Sequence, residues 1–110
     1  MRNFAPMPVP SPDGTLAQYF ITCVKLPPGK NAKSLMDAIE HAIGKEQRHS
    51  RGIHEEHSFV TLGRYDLVVI WRAPDLQKMA KFWNELVDAC GKEMGETETL
   101  VAISKGTDSP

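Results

Sequence analysis

Thr61-Leu62-Gly63-Arg64-Tyr65-Asp66-Leu67-Val68-Val69-Ile70-Trp71-Arg72-Ala73-Pro74-Asp75 holds a strand end, a tight turn, the most apolar strand of the chain and a helix start. Leu67 to Trp71 is an unbroken run of large apolar residues, and its β-branched Val68, Val69 and Ile70 suit a strand covered on both faces. Gly63 separates this run from Ser58-Phe59-Val60-Thr61-Leu62. Glycine tolerates positive φ, so Gly63-Arg64 is expected to close a hairpin. Pro74 cannot donate to a ladder and drives Ala73 out of helical angles. Asp75 then serves as a helix N-cap at the positive end of the helix dipole.

The neighbouring segments follow from the same reasoning. Leu16 to Leu26 is a strand ended by Pro27-Pro28-Gly29. Asn31 caps a helix over residues 32–48, with Ala32, Leu35, Met36, Ile39, Ala42 and Ile43 at helical spacing. Asp37 and His41 are four apart on that helix and can pair. Gly52 to Leu62 starts polar and ends apolar, as one strand, and the central strand runs from Tyr65 to Arg72. Residues 75–90 form a second helix. Its stripe is Leu76, Met79, Ala80, Trp83, Leu86, Val87 and Cys90, with Phe82 at the margin and Gly91 as the stop. Thr97 to Ser104 is the last strand.

The order β-α-β-β-α-β is the split-βαβ, ferredoxin-like pattern. It predicts an α+β fold: a four-stranded antiparallel sheet with two helices on one face. The opposite face is not polar. Phe20, Val24, Leu67, Val69, Trp71 and Leu100 cannot all share the helix side with Ile21, Val68, Ile70 and Ile103. An uncovered apolar face predicts sheet-to-sheet pairing into a homodimer, or a higher oligomer.

Size and composition set the bounds. The 110 residues make one domain (16–105), preceded by an arm at 1–15 in which Pro6, Pro8, Pro10 and Pro12 alternate, and followed by a polar tail at 106–110. The arm either hangs loosely or lies across a partner subunit. Net charge is −1 with both signs mixed, which excludes a basic nucleic-acid footprint. No apolar run reaches the roughly 18 residues that span a bilayer, and no signal-peptide core follows Arg2. Cys23 and Cys90 are far apart and read as reduced, buried thiols of a cytoplasmic protein.

Thr61-Leu62-Gly63-Arg64-Tyr65-Asp66, Leu67-Val68-Val69-Ile70, Ala73-Pro74-Asp75 and Thr97-Glu98-Thr99-Leu100-Val101-Ala102 together resemble the GYD domain family, named for its Gly-x-Tyr-Asp-like turn. The resemblance covers residues 17 to 104. That family is similar to the dimeric α/β-barrel group, in which two ferredoxin-like units pack sheet to sheet. The wider group includes small-molecule monooxygenases, haem-degrading enzymes and ligand-sensing domains. The proline-rich arm and the Ser50 to Glu56 region depart from the compact family pattern.

The candidate site residues divide into three sets. In His54-Glu55-Glu56-His57, strand alternation pairs His54 with Glu56 and Glu55 with His57, two metal ligands per face where a site needs three or four. No metal and no cofactor is therefore expected, and no histidine spacing marks a haem ligand. Tyr65 and Asp66 are either turn and packing residues or the polar rim of a pocket, and Arg72 offers an anion contact. Trp71, Trp83, Phe82 and Tyr19 pack the core or an interface, or else line a cavity. The expected pocket lies between the first helix and the sheet, roofed by Leu35, Met36 and Ile39, with Tyr65, Asp66 and His57 at its mouth; Arg72 and Trp71 are the further ligand-binding candidates.

Three functions fit. The first is a homodimeric ligand-binding or accessory protein without chemistry. The second is a cofactor-independent monooxygenase-like enzyme on an aromatic or polyketide-like substrate, with His57 or Asp66 as base. The third is a structural assembly unit with no ligand. The enzyme needs an enclosed cavity with a polar group inside, the binder needs only the cavity, and the structural unit needs neither.

Overall fold

Asn31 and Asp75 start the two long helices as their side chains dictate. The computed structural model describes residues 9–10 and 16–102. Asn31 Oδ1 accepts the Ser34 N–H at 2.8 Å, and Asp75 Oδ1 accepts the Lys78 N–H at 2.8 Å. The elements in chain order are β1 (Val9–Pro10), β2 (Leu16–Val24), α1 (Ala32–Ala42), α2 (Lys45–Ser50), β3 (His54–Val60), β4 (Leu67–Ala73), α3 (Leu76–Cys90) and β5 (Thr97–Val101). Every strand pairing among the described residues is antiparallel. β2 and β4 form the centre, β3 flanks β4, and β5 flanks β2 with the two-residue β1 beyond its end. The order β5-β2-β4-β3 with helices on one face is the ferredoxin-like α+β fold. The expected paths of the arm and of Ile103, and the tail, lie outside the described residues, apart from Val9–Pro10, which pair with Leu16 and Ala17 of the same chain.

The expected helix over 32–48 is two helices. Ile43 is extended (φ −138°, ψ 96°) and Gly44 follows with ψ 169°. Local bonds stabilise the break: Gln47 Oε1 accepts the Gly44 N–H at 3.2 Å, and Glu40 Oε1 accepts the Lys45 N–H at 2.9 Å. The buried Arg48 then turns back, donating to Glu40 Oε2 and to the Ile43 carbonyl at 2.8 and 2.9 Å, with its guanidinium 5.9 Å from the Trp71 ring centre. Asp37 pairs with Lys33, not with His41. These contacts outweigh the continuity that the apolar stripe alone suggests.

Strand parity divides the sheet into two faces. Phe20, Thr22 and Val24 of β2 and Leu67, Val69 and Trp71 of β4 lie under the helices, none more than 2% exposed. Tyr19, Ile21 and Cys23 point the other way, as do Val68, Ile70 and Arg72. Leu100 pairs with Ile21, so it belongs to this open face and not with Phe20 as the sequence suggested. On α3 the buried stripe is Met79, Phe82, Trp83, Leu86 and Cys90. Phe82 is fully buried, whereas Leu76 and Val87 stay exposed. The cause is the Trp71 ring, which meets Phe82 edge-on at 5.0 Å and 70° and turns that flank of α3 inward. Gly91 is right-handed (φ −57°, ψ −29°), and the helix ends in further turns through Glu93 and Met94 N–H groups rather than in a left-handed cap.

Candidate functional site

β4 begins at Leu67, so Tyr65 and Asp66 precede the strand, in a loop longer than the two-residue turn expected. The loop closes through Thr61 N–H to Asp66 C=O at 3.0 Å and Thr61 Oγ1 to Tyr65 C=O at 2.7 Å. Gly63 at its tip has φ 122°, which only glycine adopts readily. Asp66 ties the loop to the end of β2: its N–H donates to Val24 C=O, and its carboxylate accepts the Leu26 N–H at 2.8 Å. The Tyr65 hydroxyl donates to Glu98 on β5 at 2.8 Å, and this bond to a carboxylate pushes the phenol pKa up. Arg64 pairs with Glu96 at 3.1 Å, which raises its pKa further.

The other expected pocket residues lie elsewhere. Arg72 is six residues from Asp66 along β4, a span of roughly 20 Å in an extended chain, and Trp71 points to the opposite face. Trp71 is sealed in the core, with its indole N–H donating to Thr22 Oγ1 at 2.9 Å. Arg72 is 6% exposed on the open face, between Tyr19 on β2 and His54 on β3. Its Nη1 forms an ion pair with Glu56 Oε1 at 3.0 Å. Among the described residues that oxygen and Arg72 Nε are buried without hydrogen-bond partners. A β-bulge between Glu55 and His57 places Glu56 there. The bulge also reverses parity, so His54 and His57 share the open face, contrary to the simple alternation. His57 is exposed, with its ring 6.0 Å from that of Phe59. Among the described residues no three His, Cys, Asp or Glu side chains are grouped to hold a metal. Cys23 and Cys90 are free thiols whose pKa is pushed up by burial, then by Glu98 and Glu93 respectively.

Three clefts adjoin the helices at these positions. One of about 250 Å³ lies between α1 and β3, lined by Met36, Lys33, Phe59, Val60 and Leu67 among others. The next, about 500 Å³, continues past Pro27, Pro28 and Leu62 to Asp66. Met36 and Asp66 thus line adjoining clefts, while Tyr65, Trp71, Arg72 and His57 line neither. Both are open grooves. The third, about 240 Å³, runs between α3 and β5, lined by Leu76, Met79, Ala80, Trp83, Asn84, Thr99 and Val101. It is more enclosed and mostly apolar, with an amide and a hydroxyl as its polar groups. Sequence reasoning named Trp83 as a possible lining residue and missed Asn84 and Thr99. Their signal was the α3 flank at 76, 80, 83, 84 combined with β5 parity at 99 and 101. It becomes legible only once β5 is known to lie beside α3.

No protein-family model matches the sequence, and no curated protein matches it. Solved structures do resemble the fold. A NIPSNAP family protein of unknown function from Agrobacterium tumefaciens superposes with a TM-score of 0.52 at 18% identity, covering 80% of this chain and 87% of that one. An uncharacterised NIPSNAP-like domain protein from Burkholderia xenovorans gives a TM-score of 0.55 at 14% identity, covering 86% and 90%. At such identities the likeness establishes the ferredoxin-like fold. No helix among the described residues is long and apolar enough to cross a membrane.

Proposed function

We propose that this chain is a homodimeric ligand-binding or accessory protein of the dimeric α/β-barrel kind, GYD-like in its hairpin, working without chemistry of its own in the cytoplasm. The observation that carries the reading is the uncovered apolar sheet face, where Ile21, Val68 and Ile70 are only partly buried and Phe59 and Leu100 are 49% and 45% exposed. A second copy is the occupant that suits it. Of the charged groups beside the face, Arg72 is paired with Glu56, while Glu98 keeps its charge and accepts the Tyr65 hydroxyl. A partner therefore meets mainly apolar surface, and a twofold pairing sets that surface against itself. The apolar α3–β5 cleft is the proposed ligand site, for a small apolar molecule with one group able to bond Asn84 or Thr99. Asp66 is committed to Leu26, and His57 lines none of the three clefts, so geometry favours binding over base catalysis.

Light scattering on the purified chain tests the assembly. The expected mass is twice the 12.3 kDa protomer, falling to one protomer in Ile21→Asp with the far-UV spectrum unchanged. A monomeric wild type, or an Ile21→Asp protein that stays dimeric, refutes the pairing.

A further inference from the structure

The flank of α3 opposite the apolar cleft has the reverse chemistry. Another cleft, about 320 Å³, lies between this flank and the turn joining α2 to β3, lined by Ser50, Arg51, Ile53, Lys78 and Lys81. Its floor is Ile53, which is fully buried. Its far wall is fixed by backbone bonds: Arg51 and Ile53 N–H groups donate to Arg48 C=O at 3.0 and 2.9 Å, and Gly52 N–H donates to His49 C=O at 3.0 Å. Gly52 has φ 76°, and a Cβ there would meet Pro74 Cγ at 2.7 Å, so the turn is pressed against the start of α3 and only glycine fits.

The cations in this cleft are under-compensated. Glu85 is one turn beyond Lys81, the spacing at which the two would pair along a helix. Its carboxylate instead bonds Arg51 Nη1, one of the lining cations. Among the described residues Lys78 and Lys81 have no ion-pair partner, although they are like charges three residues apart on one helix face, an arrangement that repels. Asp75, whose carboxylate accepts the Lys78 N–H, does not line the cleft. Three cations against one carboxylate leave two positive charges in one concavity of a chain whose net charge is −1.

We propose that this cleft binds a small ligand bearing a phosphate monoester, held by Arg51, Lys78 and Lys81. A phosphate monoester carries about −1.5 to −2 charges at pH 7, matching the local excess, whereas a single carboxylate matches half of it. Arg51 supplies a planar fork and the lysines supply point charges, the usual division of labour around phosphate. The site is independent of the sheet-face dimer and of the apolar cleft, and its test stands whatever their outcome.

The test is titration of the full chain with inorganic phosphate, followed by backbone amide NMR, with sodium chloride at matched ionic strength and sodium acetate as separate arms. Saturable shifts confined to residues 50–53 and 78–81 are expected with phosphate. Lys81→Gln should weaken that binding roughly tenfold, the loss of one charge-assisted bond. Lys45→Gln on α2 should leave it unchanged, and thermal melts of both variants confirm folding. Equal shifts with chloride, or an unchanged affinity in both Lys81→Gln and Lys78→Gln, overturn the site. Acetate binding as tightly as phosphate overturns the assignment to phosphate.

Discussion

The two faces of the central sheet are built from nearly the same residues and meet opposite fates. Under the helices, Phe20, Val24, Leu67, Val69 and Trp71 are sealed. On the reverse, Tyr19, Ile21, Val68 and Ile70 alternate with them along the same two strands and are only partly covered. Composition does not separate the faces; cover does. α1 and α3 are too few to wrap both sides of a four-stranded layer, so one face is satisfied within the chain and the other carries a surface whose burial needs a partner.

The sharpest test of that contrast is to truncate one residue on each face. Trp71→Ala should cost about 3–5 kcal/mol in urea unfolding, because it empties the core contact with Phe82 and removes the indole N–H that Thr22 Oγ1 accepts, and the loss should be the same at every protein concentration. Ile70→Ala is its counterpart on the open face: a loss below about 1 kcal/mol in dilute protein, growing with concentration as the dimer populates. A concentration-independent loss at Ile70 would remove the distinction between the faces.

At the end shared by both faces, Asp66 fastens the β3–β4 loop to the end of β2. Asp66→Ala should lower stability by about 1–2 kcal/mol, measured by chemical denaturation, for one lost bond to a half-buried N–H. Asp66→Asn should cost less, since an amide oxygen still accepts from Leu26. A large change in ligand binding with stability untouched would return Asp66 to the site.

The smallest effect concerns the cover itself, at the junction of α1 and α2. The Lys45 N–H, and then Arg48, hold the Glu40 carboxyl below its usual pKa. A folded pKa depressed below the unfolded one gives stability that is present above the unfolded value and lost as pH falls through the folded one. Glu40 is more than half exposed, so solvent screening limits this to about 0.5 kcal/mol. Thermal melts between pH 6 and pH 3, a range spanning the ordinary carboxylate pKa, should show a slightly shallower decline in Glu40→Gln than in the parent. An identical decline would show that the junction draws nothing from this charge.

Much of the fold was legible because its signals are local. Asn31 and Asp75 cap where their side chains predict, Pro27-Pro28-Gly29 follows β2, and Leu67 to Trp71 is the central strand. The errors came from contacts distant in sequence or absent from simple periodicity. The break at Gly44 depends on Arg48 folding back, and the burial of Phe82 depends on Trp71. The bulge at Glu56 inserts one residue and reverses the faces of His54 and His57 relative to strict alternation.

The sequence by itself determined the β-α-β-β-α-β order of the main elements, the N-caps of the two long helices and the presence of two apolar sheet faces, since each follows from spacing within a few residues. The tertiary structure decided which face the helices cover and on which side Leu100 and His57 lie. It also decided that Tyr65, Asp66, Trp71 and Arg72 do not converge on one pocket. Alternation fixes only that neighbours on a strand point apart. Which of the two directions meets a helix, and which residues of α3 face β5 or the α2–β3 turn, depends on strand order and helix rotation. Those are set by the packing of side chains far apart in the chain.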